Sequence, residues 1–561
     1  MSRNSADLIQ SSHHPLHVLN GQYSTHFRQL QRSPGPVGEA PSVAVIGAGV
    51  AGLRCADVLL RSGFNVTIFE ARDRIGGRVH QVTSAGYLMD LGPNWVHGDT
   101  CENPISRIAR KTKTVLHERD GRQIVIDSDG NKMRTEDVET YSQIVWDTLA
   151  KAFRYSDENS DSIDPNKSLM DYFREEIPKR TSNTREISEI LKMAQRWGAF
   201  VGDPIERQSL KFFFLEETID GGTPFVASTY RGILADIARN PLEHAEVHFN
   251  TEVDRIQASA TGTADQGACQ NLCYPHSLVK VCTTSGIERG FNEVIMTAPL
   301  GWLKANKKAF EPPLLDRISQ AIDNISYGRL EKVYVTFPRA FWHGMEDDGD
   351  CEEYPGCIHF QSPSYVPHPP SVSWNQYLVS LSALPAPYAH PTLLFYVYGP
   401  CATALVDSIA PHPPTSTEYY ATLNSFFAPF YSKLPNFDPA SLDCTPLAFL
   451  ATQWQKDKFA GNGSYTNFQI GLGEGDVDIE VMREGMPERG IWLAGEHTAP
   501  FVALATTTGA YWAGEGVARR ICAAYGRSVP EDAVDGEGLN ETEKKVANRG
   551  ADAVDLNGFP L

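Results

Sequence analysis

At 561 residues the chain is longer than one compact core requires, and its 41% hydrophobic and 10% aromatic residues suffice for two or three domain-sized units. A formal charge of −19 argues against a nucleic-acid partner or an anionic membrane surface and favours cationic ligands. No run of about eighteen apolar residues is present to span a membrane.

Residues 1–40 are polar, contain His13 and His14, and are punctuated by Pro15, Pro34 and Pro36; they read as a disordered arm. An apolar run at 43–46 then ends on Gly47, Gly49 and Gly52. A helical pattern follows (Val50, Leu53, Ala56, Leu59, Leu60) until Gly63, and a second apolar run at 66–69 delivers Glu70, eighteen positions after Gly52. Strand, glycine turn, helix, strand and acid in this spacing predict a dinucleotide-binding βαβ unit. Gly47 allows the tight turn, Gly49 lets backbone approach a pyrophosphate, and Gly52 lets the helix pack closely. The first-turn N–H groups, Ala51 among them, face the phosphates, and Glu70 accepts from the adenosine ribose. Arg72, Gly76, Gly77 and Arg78 add a second glycine pair flanked by guanidinium groups suited to a pyrophosphate.

Beyond Gly98 the pattern turns helical, with helices expected from Asn103 to Ala109 and over 136–154, 169–177 and 186–197, and a polar turn at 127–131. There is no extended heptad repeat. Lys211 to Glu217 and the Gly221–Gly222 pair precede a segment at 230–234, and 247–256 reads as one strand carrying Val253. A polar insertion covers 258–278, and 293–296 is a buried strand leading to a turn at Gly301.

In the stretch 327–337, Leu330, Lys332, Tyr334 and Thr336 alternate with Glu331, Val333, Val335 and Phe337, which places Lys332 on a strand; alternation leaves open which face is wet. An acidic run follows (Glu346, Asp347, Asp348, Asp350, Glu352, Glu353), read as a solvated loop or a cation attractor. The chain returns through Trp454, Ser464 and Tyr465 to a strand ending on Gly495 and Glu496. A helix beginning near Thr506 and Thr507 runs to about Tyr525, and 527–561 is an acidic, disordered tail.

The residues from Glu70 to Arg78, followed by Asp90 to Gly98 with Asn94, Trp95 and His97, resemble the flavin-containing amine oxidases, a family that includes monoamine oxidases, polyamine oxidases and lysine-specific histone demethylases. The resemblance covers nearly all of 41–525 and is nearest to the polyamine oxidases. It implies an α/β fold, a Rossmann-type FAD-binding domain (41–98, 230–300 and 450–526) interleaved with an α+β substrate-binding domain (99–229 and 301–449). It implies FAD contacts at Gly47, Gly49, Ala51, Gly52, Glu70, Arg72, Gly77, Arg78, Asn94, Trp95, Val253, Trp454, Glu496, Thr506 and Thr507.

Lys332 matches the family lysine that reaches flavin N5 through a water, and His97 matches the histidine that orients a cationic chain. Glu216, Glu217, Trp302 and Tyr465 are the further substrate candidates, with Phe214, Phe501 and Tyr511 as possible aromatic walls. Pro93 stands where the family carries a small alanine. No cysteine occurs in the run 505–510, so noncovalent FAD is expected.

The implied reaction is oxidation of a polyamine or related amine to an imine by hydride transfer to N5, with O2 reduced to H2O2. The alternatives are a secondary-metabolite amine, an amino acid read by Arg231 or Arg329, or a flavin-fold chromatin-associated binder with little activity. The expected partners are a small amine and O2, with no obligate protein. Ten cysteines lie without a disulfide framework, and the pairs Cys269/Cys273 and Cys351/Cys357 lack histidines at zinc spacing, so no metal is expected. Without an apolar leader in the first forty residues or a Ser-Lys-Leu end, the expected location is cytoplasmic.

Overall fold

The computed structural model describes residues 30–32, 40–119, 121–258, 273–274, 278–343, 356–369, 372 and 374–530. The acidic run at 346–353 and most of the 258–278 insertion lie outside the described residues, as do the chain before Leu30 and after Pro530.

Ser42–Ile46 and Asn65–Phe69 form the centre of a five-stranded parallel sheet in the order Ile491–Leu493, Glu293–Met296, Ser42–Ile46, Asn65–Phe69, Glu246–His248. Val43, Ala44, Val45 and Ile68 are wholly buried, as strands covered on both faces must be. Helices Val50–Arg61 and Thr507–Ala524 cover one face and pack backbone to backbone: a Cβ on Gly514 would stand 2.1 Å from the Ala51 carbonyl oxygen. This is a Rossmann-type unit, assembled from strands more than four hundred residues apart.

The second layer is a six-stranded sheet in the order Ala448–Ala451, Leu330–Thr336, Thr392–Tyr398, Gln376–Ser380, Cys357–Phe360, Gln123–Ile126, antiparallel except for the last pair. Helices cover it. Thr135–Asn159 presents Val138, Val145, Leu149 and Ala152 to a buried cluster shared with Leu169–Glu176 and Thr184–Ala194. Among the described residues no helix is long and apolar enough to cross a membrane.

Three expectations change. The run 247–256 is two strands rather than one. Asn250 adopts φ 51°, a left-handed conformation asparagine tolerates, so Glu246–His248 joins the parallel sheet while Val253–Gln257 enters a separate four-stranded sheet. Within the arm read as disordered, Gln31–Arg32 pairs in parallel with Cys273–Tyr274, and Arg32 meets the fully buried Glu293 at 2.7 Å. At the start of the tail, Arg527 donates to the Ser62 carbonyl at 2.9 Å, beyond the end of the last helix.

Candidate active site

One cavity joins the two sheets. Its first end is made of backbone. Gly47 has φ +108° and donates its N–H to the Phe69 carbonyl at 2.8 Å, closing the turn. A Cβ on Gly49 would meet nothing within 4 Å, so this glycine faces the open cavity. Gly52 lies behind the wall rather than on it: a Cβ there would stand 2.0 Å from the Gly47 carbonyl oxygen, which makes it a packing glycine.

Helix Val50–Arg61 has no side-chain cap, so first-turn N–H groups such as that of Ala51 remain available to an anion. Glu70 is oriented by N–H donors on both oxygens, from Ala48 at 2.7 Å and Arg72 at 2.9 Å. The second glycine pair folds onto the first turn through Gly76 N–H to Ala48 O at 2.8 Å.

The late return of the chain closes over this end. Arg72 grips both oxygens of Asp457 at 2.8 Å, and Arg78 donates to Ser464 O at 2.7 Å, Tyr327 OH at 3.0 Å and Glu496 Oε1 at 3.0 Å. Gly77, Val253, Glu496, Thr506 and Thr507 line the same cavity. Thr506 caps the last helix, accepting from Gly509 N–H at 2.9 Å, and because Thr506 and Thr507 line the cavity the positive end of that helix borders it. These features fit a dinucleotide: an open glycine, an uncapped helix start, a pinned acid and a second positive helix end.

The second end is made of side chains. Lys332 shares the cavity-facing side of its strand with Leu330. Its Nζ donates to Gly92 O and Asn94 Oδ1 and lies 5.5 Å from the Tyr396 ring centre. Tyr396 donates to Asn94 at 2.9 Å and receives the Trp95 indole N–H at 3.0 Å. Burial lowers the Lys332 pKa, against the field of Asp90, whose own pKa burial raises. His97 lines the wall, and burial lowers it to about 4, so its ring is neutral.

Glu216 and Glu217 line this end. Burial pushes Glu216 up to about 8, partly offset by hydrogen bonding from Gln208 and the Phe468 backbone, and its Oε1 is buried without a hydrogen-bond partner. Burial and then the neighbouring charges of Asp157 and Asp220 push Glu217 up to about 7. Trp302, Trp454 and Tyr465 complete the wall.

Other expected contacts fall elsewhere. Phe214 and Phe501 pack against the core beneath the parallel sheet, and Tyr511 turns to the Arg54 guanidinium, 4.6 Å from its ring centre. Arg329 is bound to Asp203, and Arg231 is exposed at a helix start; neither lines the cavity. Conversely, Trp197, Phe200, Tyr377 and Tyr396 line it unforeseen. Strand register would have found two of them, since Lys332 opposes Tyr396 and Tyr396 opposes Tyr377. Among the described residues no group of three or more His, Cys, Asp or Glu is disposed to hold a metal ion.

The family model described as flavin containing amine oxidoreductase matches residues 50–522. The chain belongs to that family. Membership implies a flavin cofactor, for which the glycine end is the fitting site.

Among curated relatives, the chain is 28% identical to probable polyamine oxidase 4 of Arabidopsis thaliana over 54% of this chain and 60% of that protein. It is 27% identical to polyamine oxidase 2 of the same plant, over 57% and 64%. It is 24% identical to the lysine-specific histone demethylase 1B homolog of Caenorhabditis elegans, over 82% and 54%. The matches thus span about 60% of the length of these oxidases. A solved double mutant of putrescine oxidase superposes with TM-score 0.60 at 17% identity, covering 86% of this chain and 99% of that one, a likeness of fold.

Proposed function

We propose that the protein is an amine oxidase using noncovalently held FAD, and that its substrate is a polyamine or a related amine with a second cationic group. The observation that carries this reading is the pairing of two ends in one cavity: a dinucleotide cradle at one, and at the other a buried carboxylate oxygen of Glu216 that lacks a partner. Bound FAD would supply the acceptor for a hydride from the amine α-carbon and pass the electrons to O2, giving H2O2.

The chain's own residues do the rest. Apolar and aromatic walls (Trp302, Trp454, Tyr465) exclude water and favour the neutral amine over the ammonium at the reacting nitrogen. Glu216, ionised by an incoming cation, would anchor the distal ammonium and aim the chain. His97, neutral and in the wall, offers that chain a hydrogen-bonding ring. Lys332 presents a desolvated amine at the second end and is assigned to the oxygen half-reaction.

A second reading, oxidation of an amine carried on a larger molecule such as a lysine side chain, draws on the longer share of this chain matched by the demethylase homolog. The test is anaerobic mixing of the loaded protein with polyamines, monoamines, amino acids and methylated-lysine peptides. Bleaching of the flavin band by spermine or a diamine is expected; no bleaching by any amine refutes the proposal. Lys332→Met should slow reoxidation by O2 at least about tenfold while cofactor content stays unchanged; unaltered oxygen kinetics would remove Lys332 from the mechanism.

A further inference from the structure

Next to Lys332, on the opposite face of its strand, Glu331 points into the protein and is fully buried. Among the described residues no lysine or arginine pairs with it, and burial raises its pKa. A carboxylate so placed is costly unless its oxygens are satisfied. They accept the Thr452 hydroxyl at 2.5 Å, the Trp454 N–H at 3.0 Å, the Gln455 N–H at 3.0 Å and the Gln455 side-chain amide at 3.4 Å.

The short turn Trp454–Lys456 has no cap from its preceding residue, so Glu331 caps it from another strand. Thr452 closes the circuit. Its hydroxyl accepts the Lys332 backbone N–H at 2.8 Å while donating to Glu331, and its own N–H donates to Lys332 O at 2.9 Å. One side chain thus fixes the backbone from which Lys332 reaches the cavity and also the turn from which Trp454 does.

We propose that Glu331 and Thr452 form a positioning relay that sets the spacing between Lys332 and Trp454 across the flavin site. The inference rests on the function proposed above. The carboxylate serves here because four donors converge on it; a glutamine would aim its NH2 at one of them, and a valine at 452 would remove the hydroxyl at constant volume.

The experiment compares Thr452→Val, Thr452→Ser and Glu331→Gln in the FAD-loaded protein. Thr452→Val and Glu331→Gln should lower the anaerobic reduction rate about tenfold and change the visible circular dichroism of the bound flavin, while Thr452→Ser keeps both within about twofold. Wild-type rates and dichroism in Thr452→Val, with only a lower melting temperature, would overturn the relay. Should Glu331→Gln fail to fold, the valine and serine pair decides. Should the wild type be reduced by no amine, the proposed function falls separately, and the dichroism of the same pair still tests the relay.

Discussion

The two ends of the cavity are built on opposite principles. At the glycine end the important groups are backbone N–H groups and side chains already partnered: Glu70 holds two donors, Arg72 is locked to Asp457, and Arg78 has three acceptors. At the second end the ionisable groups are desolvated, with Glu216 and Glu217 pushed far above the ordinary carboxylate range and His97 held neutral. A site meant to retain a cofactor is finished before its ligand arrives. A site that selects a cation, as proposed for the second end, would keep a desolvation penalty that only the cation relieves.

The largest effect expected from breaking the first end comes from Gly52→Ala. The added methyl would sit 2.0 Å from Gly47 O and 3.0 Å from the Thr297 hydroxyl, forcing the helix away from the turn. Overpacking of this kind costs about 1–3 kcal/mol of stability, and the displaced helix start should lower FAD affinity by up to about a hundredfold. Equilibrium dialysis measures it, and wild-type affinity would show that the helix start does not hold the phosphates.

Next in size is Arg32→Met. Glu293 keeps donors from Trp492 at 2.8 Å and Tyr525 at 3.0 Å but loses its cation, so a loss of about 2 kcal/mol in unfolding free energy is expected. Denaturant titration would reveal it, and an unchanged midpoint would mean that the two neutral donors suffice.

The same contrast explains what could be read in advance. The glycine end is local: turn, helix, strand and acid follow within thirty residues, and their spacing states their geometry. Strand alternation is local too and puts Lys332 on a strand, but which face of that strand meets the cavity is fixed only by the sheet around it. Tyr396 and Tyr377 were not legible, since Tyr396 reaches Lys332, and Tyr377 reaches Tyr396, only through strand pairing. Arg32 looked like part of an unstructured arm because its partner lies 261 positions away. Tyr511 failed for a different reason: next to a helix start that faces the cavity, its own position on the helix points to Arg54 instead.

The smallest effect sharpens the second end. Burial raises the Glu216 pKa from its ordinary 4.5 to about 8, so between those values the folded chain holds a proton that the unfolded chain releases. Stability of the amine-free protein therefore falls as pH rises through that window, and is unaffected by this group below about pH 4. Glu216→Gln removes the slope. At pH 8 the variant should melt about 2 °C above the wild type, and at pH 4 the two should coincide.

Adding spermine at pH 8 should reverse the order, because the cation stabilises the ionised carboxylate of the wild type and finds no charge in the variant. The same substitution should raise KM for a diamine about tenfold with a smaller change in kcat, the mark of an anchor rather than a reacting group. Equal responses to spermine in both proteins would place the distal ammonium elsewhere, with Glu217 the next acid to test.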